Sequence, residues 1–262
     1  MNLLFFIIAF CASVIGGICG IGGGILMKPL MDLFGLADVA AASFLSGCTV
    51  FVMSLYNVSR SFHERSGDIE LKTTLPLAIG AAVGGILGNQ AFHTICCMVS
   101  REIAGIAQSL CLMLLTLGTL LYTLKKSRIH TRYITAPIGC GAVGLGLGMA
   151  SSFLGIGGGP FNLAVLHYFF GMDTKIAVAN SLFVILLSQT TNLGSSLLSG
   201  SIPAVSPFIV LLMVIGGIGG GAVGRKYNKK LTAATIDKLF IGLLLVIVCI
   251  CLWNTSKYVA AL

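Results

Sequence analysis

Apolar stretches recur along almost the whole chain and are separated by short polar connections. They span about residues 2–19, 25–36, 39–58, 74–95, 102–124, 132–153, 160–171, 176–198, 203–224 and 235–253. A helix needs about 20 residues to cross a bilayer, so most of these stretches predict membrane helices. Residues 25–36 and 160–171 are too short to cross alone, and each is expected to form the short arm of a helical hairpin with the stretch before it.

The same glycine string precedes both short stretches. Residues 20–24 and 155–159 both read GIGGG. Other matches continue the repeat: Phe34-Gly35 with Phe170-Gly171, Ala42-Ser43 with Asn180-Ser181, and Ile79-Gly80 with Ile215-Gly216. The chain therefore divides into a first transmembrane repeat at 1–124, a polar linker at 125–131 and a second transmembrane repeat at 132–262. We expect two broken-helix repeats with a binding site where they meet, as in transporters.

Composition and charge agree with a membrane protein and indicate its orientation. Hydrophobic residues make up 56% of the chain and charged residues 9%. The net charge of +8 does not indicate nucleic-acid binding, because the bases cluster in three connections, at 60–72, 125–132 and 225–230. Basic connections are typically cytoplasmic, and the repeat-equivalents at 199–203 and 96–102 are poor in bases. We therefore predict an all-α polytopic protein of the plasma (inner) membrane with two inverted repeats, each a Gly-tipped helical hairpin plus three transmembrane helices.

The glycine tips are the main candidate site. Consecutive glycines permit positive φ and leave amide groups uncovered, and a helix that begins there offers unpaired N–H donors and about half a positive charge. We expect a small oxyanion to bind between the two tips, at Gly22, Gly23, Gly24, Gly157, Gly158 and Gly159. The alternative is close helix packing, which is the preferred interpretation for Gly84, Gly88, Gly216, Gly220 and Gly224.

Polar residues within the apolar stretches extend this site. Such groups are expensive in a bilayer, and the candidates for substrate binding are Ser43, Asn162, Asn180, Ser181 and Gln189. Interhelical hydrogen bonding is the alternative for each of them. Lys28 and Asp32 are either a coupling group for an anion or proton, or an ion pair or snorkelling side chains near the outer end of the hairpin.

These residues together resemble the TauE/SafE family of sulfite exporters and toluene-sulfonate uptake permeases. The family pattern, roughly G-x-G-G-G followed by a proline and an Ala-x-x-x-Ser segment, appears twice in those proteins. Here the first copy reads GIGGGILMKP, with Ala40, Ala42 and Ser43 beyond it. The second reads GIGGGP, with Ala177, Asn180 and Ser181, and has no proline to match Pro29. The resemblance implies transport of sulfite, sulfonates or related sulfur-containing anions.

Secondary transport by alternating access is the leading functional hypothesis, for a small sulfur-containing or organic anion. The sequence has no nucleotide-binding motif, so we expect a proton or sodium gradient to drive transport. A passive anion channel is the alternative. An enzyme is disfavoured because no nucleophile or acid–base set recurs, and we expect no cofactor, no metal and no nucleic-acid partner. The sequence leaves formation of a homodimer open.

Overall fold

The computed structural model describes residues 2–64, 68–98, 101–126, 129–156, 158–200 and 202–259, and all regular structure in these ranges is helical. The helices are α1 (Asn2–Cys19), α2 (Gly24–Leu33), α3 (Val39–His63), α4 (Leu71–Met98), α5 (Arg101–Lys125), α6 (Pro137–Phe153), α7 (Phe161–Phe170), α8 (Thr174–Leu198), α9 (Pro207–Lys230) and α10 (Ala233–Val259).

Seven helices among the described residues are long and apolar enough to cross a membrane: α1, α3, α4, α5, α8, α9 and α10. Large apolar side chains stay exposed on the outer helices, including Leu114, Leu211 and Leu252, and a bilayer can cover such surfaces. The predicted class, a multi-pass all-α membrane protein, is confirmed.

The two short helices form the predicted hairpins. α2 and α7 have 10 residues each, so each is about 15 Å long, half of a hydrocarbon core of about 30 Å. Each follows a longer arm, α1 or α6, and a glycine turn. The hairpins therefore bring both turns to the middle of the bundle.

The long arm of each hairpin packs on the other half of the chain. α1 lies along α9, and its counterpart α6 lies along α4. α3 contacts α8 and α9, α8 contacts α3 and α4, and α5 packs on α10. Each of these helix pairs has an equivalent in the other half. The pair α1–α9 corresponds to α6–α4, and the pair α3–α9 corresponds to α8–α4, as expected for two equivalent halves.

Glycines permit the close contacts of these long arms. A Cβ at Gly84 or Gly88 of α4 would overlap main-chain oxygens of α6, and a Cβ at Gly220 or Gly224 of α9 would overlap main-chain oxygens of α1. Gly216 contacts Phe6 and Ala9 of α1 in the same way. The packing interpretation of these five glycines is confirmed.

The basic connections lie together at one end of the bundle, which we call the basic end. Glu64, just after α3, accepts hydrogen bonds from Lys229 and from Arg225 at 2.8 Å, and these two hold the pKa of its carboxyl at about 2. Lys126 in the linker lies 3.3 Å from Asp237 near the start of α10. All three basic connections therefore meet at the same end.

Gly84→Ala is expected to destabilise the fold, because the new Cβ would overlap the carbonyl oxygen of Leu145. Moving the main chain to relieve this overlap costs about 1–3 kcal/mol. Gly118→Ala is the matched control, since a Cβ there meets nothing within 4 Å. Thermal unfolding in detergent measures both. Equal stability of the two variants would contradict the packing role.

Introduced cysteines are expected to report the sidedness of the basic end. In a cysteine-free background, His130→Cys and Tyr227→Cys, both exposed, should be labelled only from the cytoplasmic side by an impermeant maleimide, because basic connections stay inside. Ala204→Cys, between α8 and α9, should be labelled only from outside. Labelling of positions 130 and 227 from opposite sides would overturn the inverted orientation.

Candidate functional site

The turns of both hairpins need glycine for their backbone conformation. In the first tip Gly20, Gly22 and Gly23 have φ of 70°, 78° and 73°, and in the second Gly155 has φ of 62°. This left-handed region is costly for residues with a Cβ. Gly157, a predicted site residue, lies outside the described residues.

The two tips touch each other inside the protein. Gly24 packs against the carbonyl oxygen of Ile156, where a Cβ would overlap it. A Cβ at Gly158 would lie 3.3 Å from the carbonyl oxygen of Ile21 and 2.6 Å from Ile185. Ile21 and Ile156 are both fully buried. The described tip residues therefore face protein, and the two turns meet main chain against main chain.

Amide donors remain unused at both tips. The amides of Gly20 and Ile21 donate to Gly16, whereas those of Gly22, Gly23 and Gly24 have no hydrogen-bond partner among the described residues. In the second tip the amides of Gly155 and Ile156 donate to Ser152 and Ser151. Those of Gly158 and Gly159 have no partner within the same ranges, and the ring of Phe161 covers Gly159. Free N–H groups therefore stand at the starts of α2 and α7.

Lys28 brings a buried ammonium to the second tip. Its side chain is 4% exposed, and Nζ donates to the carbonyl of Leu154 at 2.8 Å and to Gln108 Oε1 at 2.6 Å. Gln108 in turn donates to the carbonyl of Phe153 at 2.9 Å. The snorkelling interpretation of Lys28 is wrong. Since α2 begins at Gly24, Lys28 is one turn into the helix, about 6 Å from the tip, and not near its outer end.

Ser43 lies beside the same ammonium. A Cβ at Gly155 would overlap the Ser43 hydroxyl and lie 3.0 Å from Lys28 Nζ, so both polar groups border this glycine. Lys28, Ser43 and the start of the second tip thus form one cluster, which we call the tip cluster.

The expected equivalence of Ser43 with Ser181 is wrong. Asp38 and Asp173 cap α3 and α8 and are separated by the same 135 residues as the two glycine strings. This register pairs Ser43 with Val178, and Val178 packs on Gly20 as Ser43 packs on Gly155. Ser181 is then the counterpart of Ser46.

Asn162 and Ser181 lie on the other side of the second tip. Both are buried, and Asn162 Nδ2 is 3.5 Å from Ser181 Oγ. Asn162 Oδ1 has no hydrogen-bond partner among the described residues. With Ser151 and Ser188 it lines a cavity of only about 10 Å³, which is too small for an anion.

Asn180 and Gln189 stand apart from the tips. Asn180 accepts from the amide of Glu70 at 2.9 Å and from Thr74 at 2.5 Å, and it donates to the carbonyl of Asp68 at 2.8 Å. It therefore anchors the connection between α3 and α4. Gln189 packs against Gly47 where α8 meets α3. A role in substrate binding stays a prediction for both.

A larger cavity of about 210 Å³ lies at the basic end, between α1, α3, α8 and α9. Gly17 and Val178 belong to its lining, and Val178 packs directly on Gly20 of the first tip. Water can therefore come within one residue of that tip from the basic end. We call this space the basic cavity.

The comparisons with known proteins are consistent with this architecture. The family model for Sulfite exporter TauE/SafE matches residues 5–250. Three relatives are each called a probable membrane transporter protein: YunE of Bacillus subtilis (26% identical, covering 93% of this chain and 94% of the relative), a protein of Haemophilus influenzae (26%; 94% and 96%) and one of Methanocaldococcus jannaschii (27%; 87% and 87%). No solved structure matches the chain.

Gly23→Ala is expected to abolish transport, although the variant protein still inserts into the membrane. The new Cβ would sit at φ 73° and 2.7 Å from the carbonyl oxygen of Ala12, so the turn must distort. Gly35→Ala is the control, because it has the same backbone strain, φ 60°, but meets nothing within 4 Å. Transport in proteoliposomes and gel-filtration profiles compare the two; equal transport would show that the tip conformation is dispensable.

Proposed function

This chain belongs to the sulfite exporter TauE/SafE family, and we propose that it is a secondary carrier of small sulfur-containing or organic anions such as sulfite and sulfonates. Its relatives are named as membrane transporter proteins rather than enzymes. The substrate class is our proposal, and it is supported by the chemistry of the tips.

One observation carries the proposal: free amides at two helix starts and the Lys28 ammonium are gathered in the protein interior. Each helix start contributes about half a positive charge, and Lys28 adds a full one. A buried ammonium is expensive in a membrane, so its retention is explained well by an anionic ligand. Several N–H donors in one place suit an oxyanion with several acceptor oxygens.

Alternating access is supported by an access route at the basic end that stops at closed tips. A cavity of about 210 Å³ lies at that end, whereas the cavity beside Asn162 measures about 10 Å³. A passive channel needs a continuous path, and the contact of Gly24 with Ile156 closes the described part of the tips, which favours a carrier. Because Gly24 contacts Ile156 directly, the hairpins must separate before an anion reaches all the amides.

The arrangement of the halves fits inverted repeats. Glu64 follows the C-terminal end of α3 and binds Arg225 and Lys229 near the end of α9, while α4, the counterpart of α9, begins shortly after Glu64. α4 thus starts near where α9 ends, as inversion requires. We propose that a proton or sodium gradient drives the cycle, since the sequence has no nucleotide-binding motif.

Counterflow in proteoliposomes tests this function, with sulfite, thiosulfate, methanesulfonate and acetate compared under proton or sodium gradients. We expect saturable exchange of the sulfur anions. Lys28→Gln should raise KM about 10- to 150-fold, because a hydrogen bond to a charged group contributes about 1.5–3 kcal/mol.

Lys226→Gln is the control for that variant, since this lysine is exposed and belongs neither to the described contacts of the tips nor to the lining of the basic cavity. It should leave KM unchanged. Flux that rises linearly with concentration would favour a channel. Unaltered KM in Lys28→Gln would remove the tip cluster from the substrate site.

A further inference from the structure

We propose that the basic cavity is a second anion-binding position, which holds the anion before it reaches the tips or after it leaves them. The proposal rests on the proposed function, because it concerns the same small oxyanions. It assigns the binding to Lys175 at the start of α8 and to Arg225 near the end of α9.

The size of the basic cavity suits a partly hydrated anion. A water molecule takes about 30 Å³ in the liquid, and the cavity measures about 210 Å³. It can therefore hold a small oxyanion together with several waters. An anion at this position keeps part of its hydration shell and loses the rest only at the tips.

Positive charge exceeds negative charge around the basic cavity. Lys175, Arg225 and Lys229 line it with one carboxylate, Asp68. Glu64 lies beside it and accepts hydrogen bonds from Arg225 and Lys229, which leaves Lys175 as the cation with no hydrogen bond or ion pair inside the described ranges. Because its net charge is positive, the cavity attracts anions.

Arg225 is held rigidly by three hydrogen bonds, and its Nε makes none within the described ranges. Its Nη1 donates to the Asn57 carbonyl at 3.1 Å and to Ser61 at 3.0 Å, and its Nη2 donates to Glu64 at 2.8 Å. Its Nε is buried and has no partner among the described residues. An unpaired buried donor is costly, and a small movement of Arg225 would let an anion oxygen in the cavity accept this hydrogen.

Asn57 gives a second, independent indication of a hydrated ligand. Its side chain is 2% exposed and lines the basic cavity. Nδ2 donates to the carbonyl of Met53 at 2.9 Å, whereas Oδ1 has no partner in the described ranges. Oδ1 can accept only from a donor, and a hydration water of the anion would supply one once the side chain turns Oδ1 towards the cavity. The unpaired donor of Arg225 and the unpaired acceptor of Asn57 would then match an anion with its water.

The site belongs to the basic end alone. In the register of α3 with α8, Ala40 takes the position of Lys175. In the register of α4 with α9, set by Ile79-Gly80 and Ile215-Gly216, Asn89 takes that of Arg225. Neither carries a charge, so internal repetition does not explain the two cations. Placed between the basic end and Gly20, they would load the tips with anions that arrive from that end.

Protection of an introduced thiol tests this position without relying on transport. Ala179→Cys places a thiol in the lining of the cavity in a cysteine-free background, and a neutral maleimide labels it in detergent at low salt. Methanesulfonate is expected to slow labelling at least about threefold, whereas chloride at equal ionic strength is not. Lys175→Gln should remove this protection, and Lys226→Gln should keep it.

Two outcomes would overturn the second position: labelling that methanesulfonate does not slow, or protection that persists in Lys175→Gln. Counterflow by the same protein decides the proposed function separately. Saturable counterflow without protection would leave the carrier standing and remove this site. Protection retained in Lys28→Gln, together with impaired counterflow, would support two distinct positions.

Discussion

The two halves of this structure are held together by close contacts between their main chains, and only glycine permits contacts as close as these. At the centre Gly24 meets the carbonyl of Ile156, and along the long arms the glycines of α4 and α9 meet α6 and α1. Without these contacts the two hairpins, whose short arms are each half a bilayer long, would not bring their turns together. A side chain at such positions forces the backbones apart, so packing and site formation are one requirement.

The same contacts decide where polar groups can lie. A membrane-embedded chain must satisfy or shelter its amides and charges, and here they are gathered around the tips and in the basic cavity. The cations of the basic cavity lie towards the basic end. Lys28 lies on α2, which leads away from that end, since Asn254 late in α10 donates to the carbonyl of the next residue, Pro29. Beside the second tip, Asn162 and Ser188 border a cavity of only about 10 Å³, much smaller than the basic cavity. This difference in size agrees with the proposed carrier.

The sequence predicted the hairpins well because length and glycine position determine them: a stretch of ten residues cannot cross, and GIGGG must turn. It predicted the packing glycines for the same local reason. It misjudged Lys28, because the groups that bind its ammonium, Gln108 and the carbonyl of Leu154, are far away in the sequence. It paired Ser43 with Ser181 because a short identity outweighed the register of Asp38 and Asp173. Gln108, a lone amide in an apolar stretch, was missed since only tertiary structure brings it to Lys28.

Locating the bound anion tests most sharply whether the paired glycine tips bind it. A structure with selenate or a selenonate, located by anomalous scattering, would position the selenium. We expect a selenium peak between the tips. The oxygens of the bound ion should lie within hydrogen-bond distance of the Gly22–Gly24 amides and Lys28 Nζ, and the tips should have moved apart. A peak confined to sites away from the tips, under conditions of saturable transport, would contradict this expectation.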